Sequence, residues 1–383
     1  AAKKSTPVLA DEPKGNPAGK KKKNTGRYFL LIFFYFSLAV FVVTVGTVLY
    51  VWINQKMNGE DGFLFGVEAV SGRKVAEVRY TQEEMDEQRI SLQNEMELEV
   101  AQAEKNGKES ILRQLQTGLE QSSAALETIR SLYPDHIVVA SDGRYYFVPI
   151  NDSLQKNNYI QEQLQILEDG EYVYLENGEV ISHKGIDVSS HQGAIDWESV
   201  AADGVEFALI RSAYRGYGSG ALVEDKYYEA NVKGAQAVGI KVGLYVFSQA
   251  INEEEMLEEA QTIMSQADSL GVTGPLVLDV EKVSDPTGRM NLISPEERTA
   301  LVKLYCETVK NAGFYPMIYH NTNMGAIMID VSELEEYDKW FASYGDKLYY
   351  PYQYLIWQYS STGRVAGIKG DVDLNISFTK FWE

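Results

Sequence analysis

The feature that most constrains this sequence is an uncharged, strongly apolar run of 26 residues from Tyr28 to Ile53. About 20 apolar residues in a helix suffice to cross the hydrocarbon of a bilayer, and aromatic residues stand at both ends of the run, as interfacial belts require. The apolar region of a signal peptide is shorter and ends at a small-residue cleavage site, and no such pattern follows this run. The sequence therefore predicts an uncleaved transmembrane helix over 28–53.

The charges on the two sides of this run predict its orientation. Residues 1–27 hold eight Lys or Arg and two acidic residues, whereas the whole chain has a net charge of −20, so residues 28–383 carry −26. Positively charged flanks stay in the cytoplasm. We expect a disordered, basic cytoplasmic tail over 1–27 and an acidic extracellular part over 54–383. Such an acidic chain also argues against nucleic acid as a partner.

Residues 54–132 are predicted to form a helical, coiled-coil stalk. One apolar stripe runs from Met85 to Ala103 and a second from Leu112 to Ile129, with the spacing of a coiled-coil seam. Asn106-Gly107 separates the stripes, so the segment is either one interrupted helix or an antiparallel helical hairpin. The stripes serve either self-association or binding of a protein partner, or they pack on each other within a spacer.

Residues 133–184 are predicted to form a small α+β linker module with a structural role. Extended runs flank Ser141-Asp142-Gly143 and, further on, Asn177-Gly178, which is typical of β-hairpins. Between the two hairpins, we expect a short helix over 153–167.

Residues 185–383 are predicted to form an α/β catalytic domain. Short apolar strands alternate with amphipathic helices, and this alternation predicts parallel βαβ units closed into a compact barrel. The connections shorten towards the end of the chain, and a complete eight-helix barrel would be tight at this length.

Carboxylates stand at the ends of several predicted strands, where barrel enzymes carry their chemistry. Asp187 follows the first strand, Asp279 and Glu281 end LVLDVE, and Asp373 lies in GDVDLN. Residues i and i+2 of a strand face the same side. When two carboxyl groups are buried together, the pKa of one rises, so that one stays protonated while the other is ionised. Acid–base cleavage of a glycosidic bond needs one group in each state. The alternative is that the pair caps the next loop or binds an Arg.

Cysteine and histidine usage argues against a metal site. Cys306 is the single cysteine, which excludes a disulfide framework, and the four histidines are well separated. We expect neither a metal nor another cofactor.

Four motifs together resemble the glycoside hydrolase family 25 muramidases, also called Chalaropsis-type lysozymes. They are GIDVSSHQGAIDW (185–197), VGLYVFS (242–248), PLVLDVE (275–281) and WQYSSTGRVAGIKGDVDLN (357–375). The anchor and stalk resemble those of membrane-anchored bacterial members. The resemblance implies a modified TIM-like (β/α)5β3 barrel that hydrolyses β-1,4 bonds between N-acetylmuramic acid and N-acetylglucosamine in peptidoglycan, on the side of the membrane that faces the cell wall.

The resemblance also implies roles for the four carboxylates. Glu281 matches the general acid, Asp279 the group that assists the substrate acetamido group, and Asp187 and Asp373 the acids of the groove floor. The resemblance favours a substrate-assisted mechanism that retains the anomeric configuration. Inversion of the configuration stays open, because sequence spacing does not give the distance between the two carboxyl groups. Two alternative functions stay open as well: a wall-binding scaffold that recruits partners through its stalk, and a hydrolase of another N-acetylglucosamine polymer such as chitin.

Aromatic side chains near the predicted strand ends are candidates for sugar stacking, and one histidine lies in the Asp187 loop. These substrate-binding candidates are His191, Tyr214, Tyr245, Phe247, Tyr319, Tyr344, Trp357 and Tyr359. The glycines of RGYGSG (215–220) lack the spacing and the Lys of a phosphate-binding loop, so they predict a flexible groove rim.

Overall fold

A computed structural model describes residues 81–121 and 125–382. The predicted tail (1–27), the predicted transmembrane helix (28–53) and the stalk before residue 81 lie outside the described residues. In the described ranges, no helix combines the length and the apolar character needed to cross a bilayer. The described chain divides into two units, with the boundary between residues 108 and 109.

Helix α1 (Gln82–Gln121) runs without interruption through Asn106-Gly107, so the hairpin alternative is wrong for this segment. The Thr81 hydroxyl accepts from the Glu84 backbone N–H at 3.2 Å, and the Glu84 carboxylate accepts from the Thr81 backbone N–H at 2.8 Å. This reciprocal cap satisfies two donors at the helix start. No side chain of α1 is buried, and the apolar stripe that begins at Met85 is exposed to solvent.

The segment after the stalk folds into one helix and two small sheets. Helix α2 (Ala125–Leu132) precedes a hairpin of β1 (His136–Ser141) and β2 (Arg144–Pro149), and β3 (Leu164–Ile166), β4 (Tyr172–Glu176) and β5 (Glu179–Val180) form an antiparallel sheet. Both predicted hairpins are confirmed. Their turns, Asp142-Gly143 and Asn177-Gly178, have positive φ at both residues, the conformation that two-residue hairpin loops need.

The predicted helix over 153–167 is wrong. A 3-10 turn at Gln161–Gln163 leads directly into β3, Ile160 before it is extended, and residues 153–160 contain no helix. The Asn157 amide nitrogen donates to the carbonyl oxygen of Tyr350 at 2.5 Å, and the Tyr159 hydroxyl donates to that of Tyr354 at 2.5 Å. Tertiary hydrogen bonds of this kind override local helix propensity.

The 133–184 segment is part of the packed barrel domain. Ile137, Leu154 and Tyr174 belong to the same buried cluster as the barrel and its helices. The Tyr159 ring stacks on Phe378 with 3.7 Å between ring centroids. Strand β6 begins at His183, so it crosses the predicted boundary between 184 and 185.

Eight strands close into a barrel, which confirms the predicted architecture. They are β6 (His183–Val188), β7 (Phe207–Arg215), β9 (Lys241–Ser248), β10 (Leu276–Val280), β11 (Pro316–Asn321), β12 (Asp338–Ala342), β13 (Ile356–Gly363) and β14 (Val372–Ser377). Neighbouring strands from β6 to β13 are parallel, and β14 closes the barrel by antiparallel pairing with β13 and β6. A short strand, β8 (Leu222–Glu224), pairs with the end of β7.

Four α-helices cover the first four barrel strands: α3 (Trp197–Ala202), α4 (Tyr228–Ala237), α5 (Glu253–Leu270) and α6 (Pro295–Asn311). After β11 only a π turn (Met324–Met328) and a 3-10 turn (Val331–Leu334) follow, and the described chain has no helix after β12 or β13. Ser294 and Glu297 form a capping box at the start of α6. Five βα units, the last reduced to short turns, thus precede three strands.

Side chains at every second position of each strand fill the inside of the barrel. Phe207 and Leu209 on β7, Tyr319 on β11 and Trp340 on β12 belong to this inner cluster. The intervening residues point outward and pack against the helices. This alternation decides which polar residues reach the carboxyl ends of the strands from inside the barrel, where the candidate site lies.

Candidate active site

The four carboxylates predicted from the sequence meet at the carboxyl end of the barrel. Asp187 and Asp373 are directly opposite each other on β6 and β14. Asp279 lies on the inner side of β10, and Glu281 follows two residues later, just beyond the strand. The charge of Glu281 acts on both Asp187 and Asp279. Asp187 and Asp279 are each 5% exposed, whereas Glu281 and Asp373 are half-buried. The first two therefore form the floor of the site, and the other two face the solvent.

Asp279 and Glu281 form a hydrogen-bonded carboxyl pair. Burial raises the pKa of both groups, and the bond between them raises the pKa of Asp279 while lowering that of Glu281. Among the described residues, Oδ1 of Asp279 has no hydrogen-bond partner. Like charges this close cannot both ionise easily, so the pair holds a proton at a pH where free carboxyls have lost theirs.

Asp187 is held by two amides that sequence reasoning missed. The side-chain nitrogens of Gln358 and Asn375 each donate to its Oδ2 at 2.8 Å. The Trp340 indole donates to the Asn375 amide oxygen at 2.7 Å, and the Tyr319 hydroxyl donates to that of Gln358 at 2.8 Å. Both amides are thereby oriented with N–H towards Asp187. Burial and the charge of Asp373 raise the pKa of Asp187, and the two amide bonds oppose this rise.

Asp373 completes the cluster on the solvent side. Burial raises the pKa of its carboxyl to about 6, and a hydrogen bond with Asp187 opposes the rise. A group with this pKa changes charge in the mildly acidic range, so the net charge of the four-carboxyl cluster depends on pH there.

A cleft of about 870 Å³ opens beside Glu281. The candidates His191, Tyr214 and Phe247 line it, together with the rim residues 215–219 and the loop 281–285. The guanidinium of Arg211 supplies a cation in this wall. Its Nε donates to Asp225 Oδ2 at 2.9 Å, and it lies 5.1 Å from the centre of the Tyr214 ring. The cleft thus combines aromatic faces, a cation and the Glu281 carboxyl.

The other aromatic candidates divide into three groups. Tyr344 is 59% exposed, and its hydroxyl donates to the amide oxygen of Gln358 at 3.1 Å, so it lies beside the carboxylates and is free on one face. Tyr245 and Tyr319 are buried inside the barrel beneath them. Burial and the nearby carboxylates raise the pKa of both phenols. These two rings support the site from below and do not offer a face to a sugar.

The predicted positions of Trp357 and Tyr359 are corrected by the structure. Both rings are buried on the outer side of β13, because the inward position between them belongs to Gln358. The Trp357 indole donates to the carbonyl oxygen of Ser343 at 2.9 Å, and Tyr359 stacks on Tyr172 at 4.2 Å. Neither ring is available for stacking on a sugar.

The predicted rim, residues 215–220, borders the cleft and is anchored at both ends. Buried Arg215 donates to Glu259 Oε1 at 2.6 Å and to the carbonyl oxygen of Gly220 at 2.8 Å. Gly220 has φ +71°, and a Cβ there would lie 1.8 Å from the Arg289 guanidinium. The positive φ therefore favours glycine at 220, and a side chain there would also displace the Arg289 guanidinium.

A sequence signal for the missed amides does exist. Asn375 lies two residues after Asp373 and so shares its face of the strand, and Gln358 stands inside the quoted WQYS motif. Assigning the inward positions on β13 and β14 would have singled out both amides.

Within the described residues, no group of three or more His, Cys, Asp or Glu side chains has an arrangement that could hold a metal ion.

Comparisons with known proteins place similarity in the barrel part of the chain. Residues 186–368 match the family model described as glycosyl hydrolases family 25. The chain is 28% identical over 193 residues to the autolytic lysozyme of Clostridium acetobutylicum and 31% identical over 216 residues to lysozyme M1 of Streptomyces globisporus. Each match covers 50% of this chain, and it covers 55% and 66% of those relatives, respectively.

Among solved structures, a bacterial lysozyme from Streptomyces coelicolor is similar, with 27% identity and a TM-score of 0.41. This match covers 52% of the present chain and 92% of that one.

Proposed function

We propose that the barrel is a glycosyl hydrolase family 25 domain that acts as an N-acetylmuramidase, which hydrolyses the β-1,4 bond between N-acetylmuramic acid and N-acetylglucosamine in peptidoglycan. The observation that carries the proposal is the buried Asp279–Glu281 pair beside an aromatic cleft, because glycoside hydrolysis needs a carboxyl group that keeps its proton near neutral pH. The lysozyme relatives support the choice of substrate.

In the proposed reaction, Glu281 donates its proton to the glycosidic oxygen as the bond to the leaving sugar breaks. Asp279 orients the 2-acetamido group, whose oxygen attacks the anomeric carbon. Water then opens the cyclic intermediate with net retention and gives a proton back to the Glu281 carboxylate. Asp187 and Asp373 add negative charge that stabilises positive charge developing on the sugar ring. The amides of Gln358 and Asn375 hold Asp187 in place for this purpose.

Sugar binding is proposed for the aromatic groups that border the site with a free face, namely Tyr214, Phe247 and Tyr344. Flat apolar rings suit the C–H faces of pyranoses, and Arg211 in the same wall suits a carboxylate of the glycan or its peptide.

The test is mass spectrometry of purified peptidoglycan after digestion with the full chain. Glu281→Gln keeps the shape of the acid but has no proton to donate. Glu198→Gln, an exposed acid on α3, serves as the matched control. We expect new reducing ends on N-acetylmuramic acid with the wild type and the control, and none with Glu281→Gln. Reducing ends on N-acetylglucosamine would contradict the proposed bond, and cleavage by Glu281→Gln would contradict the proposed acid.

We also propose that the domain is tethered to the outer face of the cell membrane through the predicted helix 28–53. The acidic ectodomain supports this proposal, because an anionic wall repels a free enzyme of that charge, whereas a tether supplies local concentration. In cell fractionation, the full chain is expected with the membranes, and protease added outside is expected to digest residues 54–383. Recovery of the full chain in the soluble fraction would contradict the tether.

For the stalk, we propose self-association through the exposed stripe of α1. Met85, Leu92, Met96 and Val100 are each more than 40% exposed and recur at the spacing of a coiled-coil seam. Sedimentation of the full chain is expected to give a dimer, and Leu92→Glu with Met96→Glu a monomer. A wild-type monomer would contradict self-association and would favour binding of a different protein by the stripe.

A further inference from the structure

Glu281 lies one residue beyond the end of β10, where the barrel no longer holds the chain. The backbone pairing of β10 ends at Asp279 with β11 and at Val280 with β9. The carbonyl oxygen of Glu281 has only a long contact, 3.5 Å, from the amide of Gln249. The position of Glu281 therefore depends on what fixes the loop that follows it.

Two anchors hold this loop on its outer side. Asn291 binds Val283, accepting from its backbone N–H at 3.2 Å and donating to its carbonyl oxygen at 2.9 Å. The second anchor is Lys282, the direct neighbour of Glu281. Its ammonium lies 2.6 Å from both carboxylate oxygens of Asp142 and 3.2 Å from the Ser141 hydroxyl. The anchor next to Glu281 is thus supplied by the β1–β2 hairpin.

The hairpin is a firm support for this anchor. Its turn residues Asp142 and Gly143 have φ of 51° and 71°, and six residue pairs connect its strands. Tyr349 accepts from the Val138 backbone N–H at 2.7 Å, and Asn323 donates to the carbonyl oxygen of Ala140 at 3.2 Å. Strand β1 of the hairpin is therefore attached to the barrel domain at two points.

The hairpin lies outside residues 186–368, the part of the chain that matches the family model. We propose that Asp142 is a positioning residue for the reaction: through Lys282 it holds the loop that carries Glu281. This inference rests on the proposed function, with Glu281 as acid. It makes the segment before the barrel part of the catalytic machinery, although that segment contacts neither the cleft floor nor the carboxyl pair.

The test compares Asp142→Asn with Lys282→Met and the double variant, all in the full chain, on soluble glycan strands. Asn suits the left-handed turn conformation, so Asp142→Asn removes the charge and leaves the hairpin intact. We expect kcat to fall about twofold to fivefold, the range for one partly exposed ion pair, with KM unchanged. In the Lys282→Met background, Asp142→Asn is expected to have no further effect.

The matched control is Glu127→Gln. Glu127 on α2 pairs with Lys347 at 3.1 Å, so it joins the same segment to the barrel domain away from Glu281, and kcat should not change. An unchanged kcat in Asp142→Asn, an undiminished effect in the Lys282→Met background, or an equal loss in Glu127→Gln would overturn the inference. Each of these outcomes presupposes wild-type cleavage; its absence would instead refute the proposed function.

Discussion

The side-chain amide of Asn375 donates to Oδ2 of Asp187 at 2.8 Å, and the two residues lie on neighbouring antiparallel strands inside the barrel. The Trp340 indole fixes the orientation of this amide from its other side. The Asp187 carboxylate, which is buried near other acids, thus accepts two hydrogen bonds, one from the Gln358 amide and one from the Asn375 amide. This arrangement favours the ionised form of Asp187 where burial opposes it.

The first prediction concerns Asn375→Asp. The new carboxyl offers no N–H to Asp187, and the two acids would compete for a proton, so Asp187 would be displaced or neutralised. We expect kcat to fall about 100-fold, the scale of loss for a misplaced catalytic group. Steady-state kinetics on soluble glycan strands measures the effect. A variant with wild-type kcat would show that the orientation of Asp187 has no part in the reaction.

The second prediction concerns stability. Burial raises the pKa of Glu281 in the folded protein above its value in the unfolded chain. The free energy of unfolding therefore falls as the pH rises from the pKa of the unfolded chain to that of the folded protein, because ionising the buried carboxyl is unfavourable. Glu281→Gln does not titrate and escapes this loss. We expect the variant to be more stable than the wild type at pH 7 and to unfold at a higher temperature. Thermal unfolding at pH 4 should show a smaller difference.

The third prediction concerns the pH dependence of the reaction. The charge of Asp373 raises the pKa of Glu281, and Glu281 must be protonated to act as an acid. Asp373→Asn removes that charge, so the fall of kcat/KM on the alkaline side should begin at lower pH than in the wild type. The pH profile of kcat/KM measures this shift. A shift to higher pH would contradict the assignment of Glu281 as the acid.

The fourth prediction concerns the segment before the barrel. A chain that begins at residue 185 loses the first two residues of β6 and uncovers Phe378, on which Tyr159 stacks. We expect it to be insoluble or to melt more than about 10 °C below a chain that begins at 125. Tyr159→Ala in the full chain tests the same contact alone, with an expected cost of about 3 kcal/mol. Equal melting temperatures for the two truncated chains would contradict this role.

The fifth prediction concerns the anchored rim of the cleft. Arg215 and Glu259 form a buried ion pair at 2.6 Å, and burial raises the pKa of Glu259 to about 7 despite its partner. Arg215→Met leaves that carboxyl without its cation and is expected to cost about 3–5 kcal/mol in unfolding free energy. Arg215→Met combined with Glu259→Leu should cost much less. Denaturant unfolding measures both variants, and an equal loss would contradict the pair as the cause.

What the sequence by itself determined was local and periodic. Alternating strands and helices indicated the barrel, the turn residues at 142–143 and 177–178 indicated both hairpins, and i, i+2 spacing brought Asp279 and Glu281 to one face. These features follow from backbone conformation and side-chain alternation, which neighbouring residues specify. The four carboxylates were found because each stands at a strand end.

Tertiary structure alone decided the features that depend on partners distant in sequence. It turned Trp357 and Tyr359 outward and Gln358 inward, since strand pairing sets which face of β13 meets the barrel axis. It also replaced the predicted helix over 153–167 with an extended segment bound to residues 350–354. The contact between Asp142 and Lys282 spans 140 positions in the chain. Local propensity contains no information about such a pair, because only the closed barrel brings the hairpin to the Glu281 loop.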